Sequence, residues 1–522
     1  MYFSIKINFI FVIFMNMNKK TLNNILSRLD KDLVKGIRGS CNVEILGLTY
    51  DSRNVLSNFV FFALPGLHFD GQEFIGEAIQ RGSNVIVHTT DVDFYCSNVT
   101  YIKIDSWNMR RFMSNFSHIF YNEPSKKLKI IGVTGTDGKS SVCFYIYTLL
   151  KAMGVKVGFI STVFFEDGSG TLVKNPYRQS TPESTEIHLV LSKMVENNIE
   201  YAIIESTSHG LDFRTSRLID IAYSVAVLTN VTHEHLEFHG TMNHYLNAKL
   251  SLFSSANDNG GFGIINMDDD NFSLFLNSIN RAYTYSLRNQ RADFFVSRIN
   301  EQINFTEFEF YHKNIKYDAR INLIGSFNVE NVMAALIVVN QIMCVDIAEL
   351  TDKLINIEGL CGRMQGVDFG QDFSLIIDYA HTPGAFFKIF PIFKRLSKNR
   401  LISVFGSAGE RDVIKRRLQG EIANRYSDII ILCDEDPRGE DSMQVIRNIA
   451  EGILEKTLNK DLFFIPDRRS AIEKAISIAC TGDLVVTLGK GHESSIIYKD
   501  KSIFWDEEAV IKDIILNMNE RI

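Results

Sequence analysis

The chain has 522 residues, a formal net charge of −7, 45% hydrophobic and 22% charged residues, and seven cysteines. That length leaves room for about two to four domains, and the composition is that of a globular protein. The acidic balance, with no dominant basic stripe, excludes a nucleic-acid partner, and the scattered cysteines, without a C-x-x-C pair or metal-ligand spacing, suit a reducing cytoplasm.

The first apolar run, Ile5 to Met15, ends near Lys19-Lys20. It is too short to span a bilayer, its basic residues follow rather than lead, and no small-residue cleavage site is evident. Residues 1–16 are read as an extension from an upstream start codon, with Met15 or Met17 as the beginning. No stable membrane insertion is expected. Residues 1–108 form the first expected section, in which short strands and helices mix from about residue 20. It contains Tyr50-Asp51-Ser52-Arg53 and the run from Leu64 to Gly71.

The second section, 109–360, opens around the most informative stretch. Leu128 to Ile131 reads as a buried strand, Gly132 to Ser141 as a glycine-bearing turn, and Val142 to Met153 as a helix with an apolar face. Strand, glycine turn, Lys-Ser and helix is a layout that cradles phosphates. Glycines let backbone N–H groups approach the anion, the helix N-terminus adds positive potential, Lys139 supplies a point charge, and the Ser140 hydroxyl can reach a Mg²⁺. The common form of this loop has glycine five places before Gly138, where this chain has Val133. The bland alternative is a glycine turn with an exposed lysine.

Further on, the strand-like runs Tyr201 to Ile204, Tyr223 to Leu228 and Gly263 to Ile265 alternate with helical stretches. That pattern predicts a mostly parallel sheet covered on both faces. Glu205 follows one run, and His233, His235 and His239 follow another. A carboxylate and imidazoles at neighbouring strand ends could hold a divalent ion near the phosphate loop. His233 and His239 are read as hydrogen-bonding residues, and a zinc site as ill matched to a phosphate loop, which needs hard Mg²⁺.

The third section, 361–522, restarts the alternation with Leu375 to Ile377, Leu401 to Phe405, Asp428 to Leu432 and Leu484 to Leu488. In such sheets ligands bind at the carboxyl ends of the strands. The fold class read from these patterns is α/β with a central phosphate-loop ATPase domain, a Rossmann-like C-terminal domain and a smaller N-terminal α/β domain.

An ordered set of short blocks carries a resemblance. They are Thr134 to Ser141, Ser180 to Glu183, Glu205 to Leu211, Thr229 to Tyr245, Asn247-Ala248-Lys249, Gly325 to Ala335, Gly362-Arg363-Met364, Asp378 to Pro383, Phe405 to Arg417, Asp434 to Arg438 and Gly489 to Glu493. From about Leu48 to Asp506 the chain resembles the ATP-dependent Mur ligases, and within them the MurE type, the UDP-N-acetylmuramoyl-tripeptide synthetases. The resemblance implies ATP-driven ligation of an amino acid to UDP-N-acetylmuramoyl-L-Ala-D-Glu through an acyl phosphate, in cytoplasmic peptidoglycan precursor synthesis, by a monomer.

The resemblance also implies roles. Gly135, Thr136, Asp137, Gly138, Lys139, Ser140 and Ser141 would bind ATP, with Asn331, Arg363 and Asp378 holding the nucleotide and His381 nearby. Ser140, Glu205 and His235 would be magnesium-site residues, and Lys249 would carry a carbamate. Tyr50, Ser52, Leu67, His68 and Phe69 would meet the uridine part. Ser180, Thr181 and Thr207 would meet the sugar-phosphate or peptide stem, with Arg217 favoured over Arg214 beside them. Arg411, Glu435, Asp436, Pro437, Arg438, Gly489 and Glu493 would bind the incoming amino acid.

The specificity loop departs from relatives that use meso-diaminopimelate and typically read Asp-Asn-Pro-Arg. Arg438 is retained, but Glu435 and Asp436 add negative charge, which suits a side chain ending in an ammonium, lysine or ornithine. The alternative is a solvated turn. Asp137 and Gln365 replace the usual Asn and Glu. Two rival functions stand beside this one. Another ligase of the superfamily, such as a folylpolyglutamate synthase, is disfavoured by the Asp-Pro-Arg, Gly-Lys-Gly-His-Glu and Asp-Ser-Arg blocks. A nucleotide-binding regulator without ligase activity is disfavoured by the presence of Lys139, Glu205, His235, Lys249 and Arg363.

Overall fold

The computed structural model describes residues 20–66, 70–92, 94–177, 179–232, 234–302 and 305–519. The apolar run of residues 5–15 and the expected contacts at Leu67, His68 and Phe69 lie outside them. The chain divides into two compact units, one running to Tyr285 with Ile337–Val339, the other holding Ser286–Leu336 and Asn340–Ile522.

The first unit begins with β1 (Val34–Arg38), β2 (Gly47–Thr49), β3 (Phe59–Phe62), β4 (Val85–His88) and β5 (Thr100–Ile104), arranged β1-β5-β4-β3-β2. Only the β1–β5 pairing is antiparallel. The strands Phe59–Phe62 and Val85–His88 are buried at every position, as expected for strands covered on both faces. One covering element is α1 (Met109–Phe120). Its Met109, Phe112, Met113 and Phe116 join Val60, Phe62, Val85 and Val87 in one core. The expected first section stopped at 108, but its core runs on through this helix to Tyr121. Helical periodicity alone could not assign α1 to either sheet.

A second sheet of the same unit contains β6 (Lys129–Thr134), β7 (Val157–Ile160), β8 (Tyr201–Glu205), β9 (Tyr223–Leu228), β10 (Phe262–Asn266) and β11 (Ala282–Ser286). They lie side by side as β7-β8-β6-β9-β10-β11, every pair parallel. The strand after which the phosphate loop springs, β6, is central, between β8 and β9. The loop is therefore flanked by Glu205 at the end of β8 and Thr229 just past β9. The helices used below are α2 (Lys139–Ala152), α3 (Ser184–Glu196) and α4 (Met242–Asp258). Helix α2 starts three residues before the expected Val142, because Gly138, at φ 81°, stands immediately ahead of it as the capping residue.

The second unit holds an antiparallel meander, β12 (Phe294–Glu301), β13 (Thr306–His312) and β14 (Ile315–Ile321), and most of the helix α5 (Ser326–Met343), whose Ile337–Val339 belong to the first. Its main sheet is built from β15 (Gln365–Val367), β16 (Ser374–Asp378), β17 (Leu401–Phe405), β18 (Ile429–Leu432), β19 (Leu462–Phe464) and β20 (Leu484–Leu488). The spatial order is β15-β16-β20-β17-β18-β19, parallel except for the edge strand β15. Helices α6 (Pro383–Leu396), α7 (Ile414–Tyr426), α8 (Arg468–Ile478) and α9 (Glu507–Asn519) accompany it. Two apolar clusters pack against this sheet, one including Phe386 and Phe390 of α6, the other Ile472 of α8 and Ile511 of α9. Both sheets match the α/β expectation, with each predicted strand present to within three residues at either end.

Candidate active site

The phosphate loop is shaped by conformations and clearances that only glycine tolerates. Gly135 has φ 150°, and a Cβ there would fall 1.8 Å from Thr229 Oγ1. Gly138 is left-handed and turns the chain into α2. The loop is braced from β9: Thr229 Oγ1 donates to Asp137 O at 2.6 Å, Asp137 N–H donates to Asn230 Oδ1 at 3.0 Å, and Thr136 N–H donates to Asn230 O at 2.6 Å. Thr136 Oγ1 lies 2.9 Å from Tyr245 OH on α4. Thr229, Asn230 and Tyr245 lie in a quoted block but received no role from the sequence. For Thr229 and Asn230 the signal was their position just past a strand-like run; Tyr245, on α4, carried none.

Lys139 Nζ donates to the carbonyls of Gly135 and Thr136, at 3.2 and 2.6 Å. Ser140 Oγ lies 3.0 and 2.9 Å from the two oxygens of Glu205, and Thr162 N–H donates to the same carboxylate at 2.8 Å. Both Ser140 and Glu205 are buried. Lys249, on α4, is also buried, and its Nζ donates to Gly135 O at 2.5 Å. Burial first, then the nearby Lys139, push its pKa well below the ordinary lysine value. Four expected residues from three separate segments thus converge on one loop.

His235 is less tightly placed. It is left-handed at φ 56°, its ring is 4.7 Å from that of His209, and its nitrogens lie 3.8 and 3.6 Å from Glu234 and Glu237. His209 is pushed down to about 4 by burial and then by His235 and His239. His239 is buried with Asp212 3.3 Å away, but neither ring nitrogen makes a hydrogen bond among the described residues, so the expected hydrogen-bonding role is not met and packing holds the ring; His233 lies outside the described residues.

The expected substrate side of this unit forms a second cluster. Thr181 Oγ1 is 2.8 Å from Thr207 Oγ1 and donates to Glu205 O at 3.0 Å. Arg217 donates to Thr181 O at 3.0 Å and pairs with Glu183 at 3.0 Å, while Arg110 pairs with the same carboxylate. Arg214 instead binds Asp212 through two nitrogens and stacks over Phe238. Tyr50 OH donates to Glu186 at 2.9 Å, Ser52 Oγ to Glu77 at 2.8 Å, and Ser180 is half-buried.

In the second unit the expected residues gather at strand ends. Asp378, ending β16, accepts the N–H groups of Met364 and Ala380, both at 2.7 Å, and burial raises its pKa although Arg363 opposes the shift. Arg363 stacks over Tyr379 with its carbon 4.6 Å from the ring centre. Tyr379 also lies 4.7 Å from His381 and donates through its OH to Glu493 at 3.3 Å. It therefore touches both an expected nucleotide residue and an expected amino-acid residue. Asn331 is buried on α5. Gln365 bonds Gly362 N–H and Glu508, giving the neutral side chain both a donor and an acceptor role.

The loop after β18 carries the sharpest electrostatics. Asp436 accepts from the buried Lys490 at 2.8 Å and from Ile497 N–H at 2.9 Å. Lys490 also reaches Glu493 at 2.5 Å. Glu435 is buried, its Oε2 has no hydrogen-bond partner among the described residues, and burial raises its pKa. Gly489, at φ 99°, faces it: a Cβ there would sit 3.1 Å from Glu435 Oε2. Arg438 is left-handed at φ 54°, and its N–H donates to Ile497 O. Pro437 O would clash with a Cβ on Gly409, and Arg411 nearby in sequence is exposed. Lys490 was not foreseen as a partner of Asp436, since 54 residues separate them.

Comparison with known proteins adds three domain matches: residues 44–121 to the Mur ligase family catalytic domain, 133–339 to the Mur ligase middle domain, and 362–491 to the Mur ligase glutamate ligase domain. The chain is 66% identical to the UDP-N-acetylmuramyl-tripeptide synthetase of Borrelia garinii subspecies bavariensis, covering 97% of this chain and 99% of the relative. It is 41% identical to the enzyme of that name from Treponema denticola, over 93% and 94% of the two chains. Among solved structures, a UDP-N-acetylmuramoyl-L-alanyl-D-glutamate–2,6-diaminopimelate ligase is similar with a TM-score of 0.63 at 26% identity, covering 96% of this chain and all of that one.

Proposed function

The chain belongs to the Mur ligase family, in its MurE-type branch of tripeptide synthetases, and from that premise we propose which residues carry the ligation and which amino acid is added. It is an ATP-dependent ligase of peptidoglycan synthesis acting on a UDP-muramoyl peptide. A free carboxylate is a poor electrophile. Transfer of the ATP γ-phosphoryl group to the substrate's D-Glu carboxylate makes an acyl phosphate and releases ADP. The incoming amine attacks the carbonyl carbon, loses a proton, and phosphate leaves as the amide forms.

Two anions must meet in the first step, so cations and oriented dipoles have to offset their repulsion. The observation that carries the reading is the convergence of Lys139, Ser140, Glu205 and Lys249 on one glycine loop. Lys139 and the loop N–H groups would hold the transferring phosphate, with Ser141 following in the first turn of α2. Mg²⁺ would be held by Ser140 and Glu205, with His235 and a carbamate on Lys249 as further ligands. The donor set fits a hard cation, since a hydroxyl and a carboxylate already meet there. Lys249 fits carbamylation because burial favours its neutral amine, the form that captures CO₂. When bound, the ion neutralises phosphate charge. Asn331, Arg363 and Asp378 would hold the nucleotide. Tyr50, Ser52, Ser180, Thr181, Thr207 and Arg217 would hold the UDP-muramoyl peptide. Three domains are proposed along the expected lines, with the first carried on through α1 to Tyr121 and the third beginning near residue 361, and the enzyme as a cytoplasmic monomer. No helix among the described residues is long and apolar enough to cross a membrane.

For the amino acid we favour lysine or ornithine. The argument narrows to one carboxylate: Asp436 is neutralised by Lys490, whereas Glu435 keeps an uncommitted buried oxygen suited to a substrate ammonium. Arg411, Pro437, Arg438, Gly489 and Glu493 would complete the pocket. A second reading, meso-diaminopimelate, draws on Arg438, whose Nε is buried without a partner among the described residues and could serve a second carboxylate. The deciding experiment supplies ATP and UDP-N-acetylmuramoyl-L-Ala-D-Glu with lysine, ornithine and meso-diaminopimelate in turn, then weighs the product. A diamine adduct formed fastest supports the first reading. Faster ligation of meso-diaminopimelate overturns it.

A further inference from the structure

Arg468 is the first residue of α8 and is fully buried, as is Glu507 at the start of α9. The pair is bidentate, with Nε at 2.9 Å from one carboxylate oxygen and Nη2 at 2.6 Å from the other. The remaining donors turn to the sheet. Nη2 donates to Leu488 O at 2.8 Å, and Nη1 lies 3.3 Å from Asp434 O and 3.5 Å from Cys433 Sγ. Glu507 is fixed in turn by the indole N–H of Trp505 at 2.5 Å, and Asp467 caps α8 just ahead of Arg468.

Leu488 ends β20, directly before Gly489, and Asp434 opens the loop that follows β18. These strands are not neighbours; β17 lies between them. No ladder hydrogen bond couples their ends, which stand about two strand spacings apart, roughly 10 Å. The clearance between the two segments is small, since Gly489 has only 3.1 Å of room before Glu435 Oε2. A shift of a few tenths of an ångström would therefore alter the pocket edge.

We propose that Arg468, backed by Glu507, is a positioning residue for amino-acid selection: it sets the spacing between the Asp434–Arg438 loop and the Gly489–Glu493 segment. The inference rests on the reading above that these two segments hold the incoming amino acid. Arginine suits the work because a planar fork can serve a carboxylate on one edge and two carbonyls on the others. A lysine ammonium is a single point and cannot span them.

The test compares steady-state kinetics of the full-length enzyme with Arg468→Lys, Glu507→Asp and Ile472→Ala. Ile472 lies on the same helix, wholly in the core, and serves as a control for lost stability. Glu507→Asp keeps the ion pair but draws the guanidinium away from the carbonyls, and supplies the answer if Arg468→Lys does not fold. Either variant is expected to raise KM for the amino acid by about tenfold or more, with KM for ATP and for the UDP-dipeptide within about twofold. The preference between diamine and meso-diaminopimelate should narrow in parallel. Ile472→Ala, at a comparable loss in Tm, should leave the amino-acid KM in place. An unmoved amino-acid KM in the folded variants, or an equal rise for ATP or in Ile472→Ala, overturns the inference. If the wild type ligates none of the three amino acids, the functional reading itself fails, a different outcome.

Discussion

The phosphate loop of the first unit and the Asp434–Arg438 and Gly489–Glu493 segments of the second are both built at the carboxyl ends of parallel strands. They are held together in different ways. The loop is shaped by glycine conformations and by neutral hydrogen bonds from Thr229, Asn230 and Tyr245, with its cations pointing at backbone carbonyls. The other region is a lattice of mostly buried charges: Lys490 with Asp436 and the half-buried Glu493, Arg468 with Glu507, and Glu435 with an oxygen left over. A loop that receives a triphosphate tail can rely on backbone geometry. A pocket that must distinguish amino acids differing in terminal charge gains from fixed charges, because burial makes each mismatch costly.

The contrast can be broken at four points. The largest effect is expected at Lys139. Its change to alanine should leave the fold intact and lower turnover by roughly a hundredfold or more, because the charge acts on the transferring phosphoryl group. Near-normal ligation by a folded variant, measured as phosphate release, would remove that role. Next comes Lys249→Ala, expected to lose most activity and to recover part of it when short carboxylates are added. A titration of acetate or formate that restores nothing would argue against the carbamate.

Changes in the charge lattice should be smaller and should alter preference more than rate. Glu435→Gln is expected to weaken use of lysine or ornithine by about tenfold relative to meso-diaminopimelate. Asp436→Asn should move the ratio in the same direction but less, since Lys490 already offsets that charge. Equal or reversed shifts in competition assays would show that the pairing does not decide the field.

The smallest effect concerns stability. Burial lowers the Lys249 pKa in the folded state, so between that value and the ordinary lysine value the unfolded chain binds the extra proton. Stability therefore rises with pH across that window, and at neutral pH it is reduced by the cost of keeping the amine uncharged. Lys249→Met removes the titrating group. In CO₂-free buffer it should raise Tm at pH 7, and the gain should shrink toward pH 10. A gain that is constant with pH would point to packing instead.

Much of the first unit's site was legible because it is local. Gly135 to Ser141 is one contiguous run between a strand and a helix, and Glu205 directly follows a strand-like run; that its strand and the one before Thr229 flank the loop came from the sheet itself. The second site was legible only by residue type. Arg438, Glu435 and Glu493 could be named, but the state of Asp436 could not, since its partner Lys490 comes from the segment that follows β20. Arg468 carried no signal either, as an arginine opening a helix reads as surface until the helix is docked.

The sequence by itself determined the alternation of strands and helices, the phosphate loop and the residue types at the strand ends, all of which depend on periodicity and on neighbours within a few positions. Tertiary structure alone decided that α1 joins the N-terminal core, that Lys249 lies buried against Gly135 O, and that one of two adjacent acids is neutralised while the other is not. The physical reason is common to all three. Burial and charge pairing depend on which distant segments meet, and the energy of a charge is set by its solvent and its partner rather than by its own side chain.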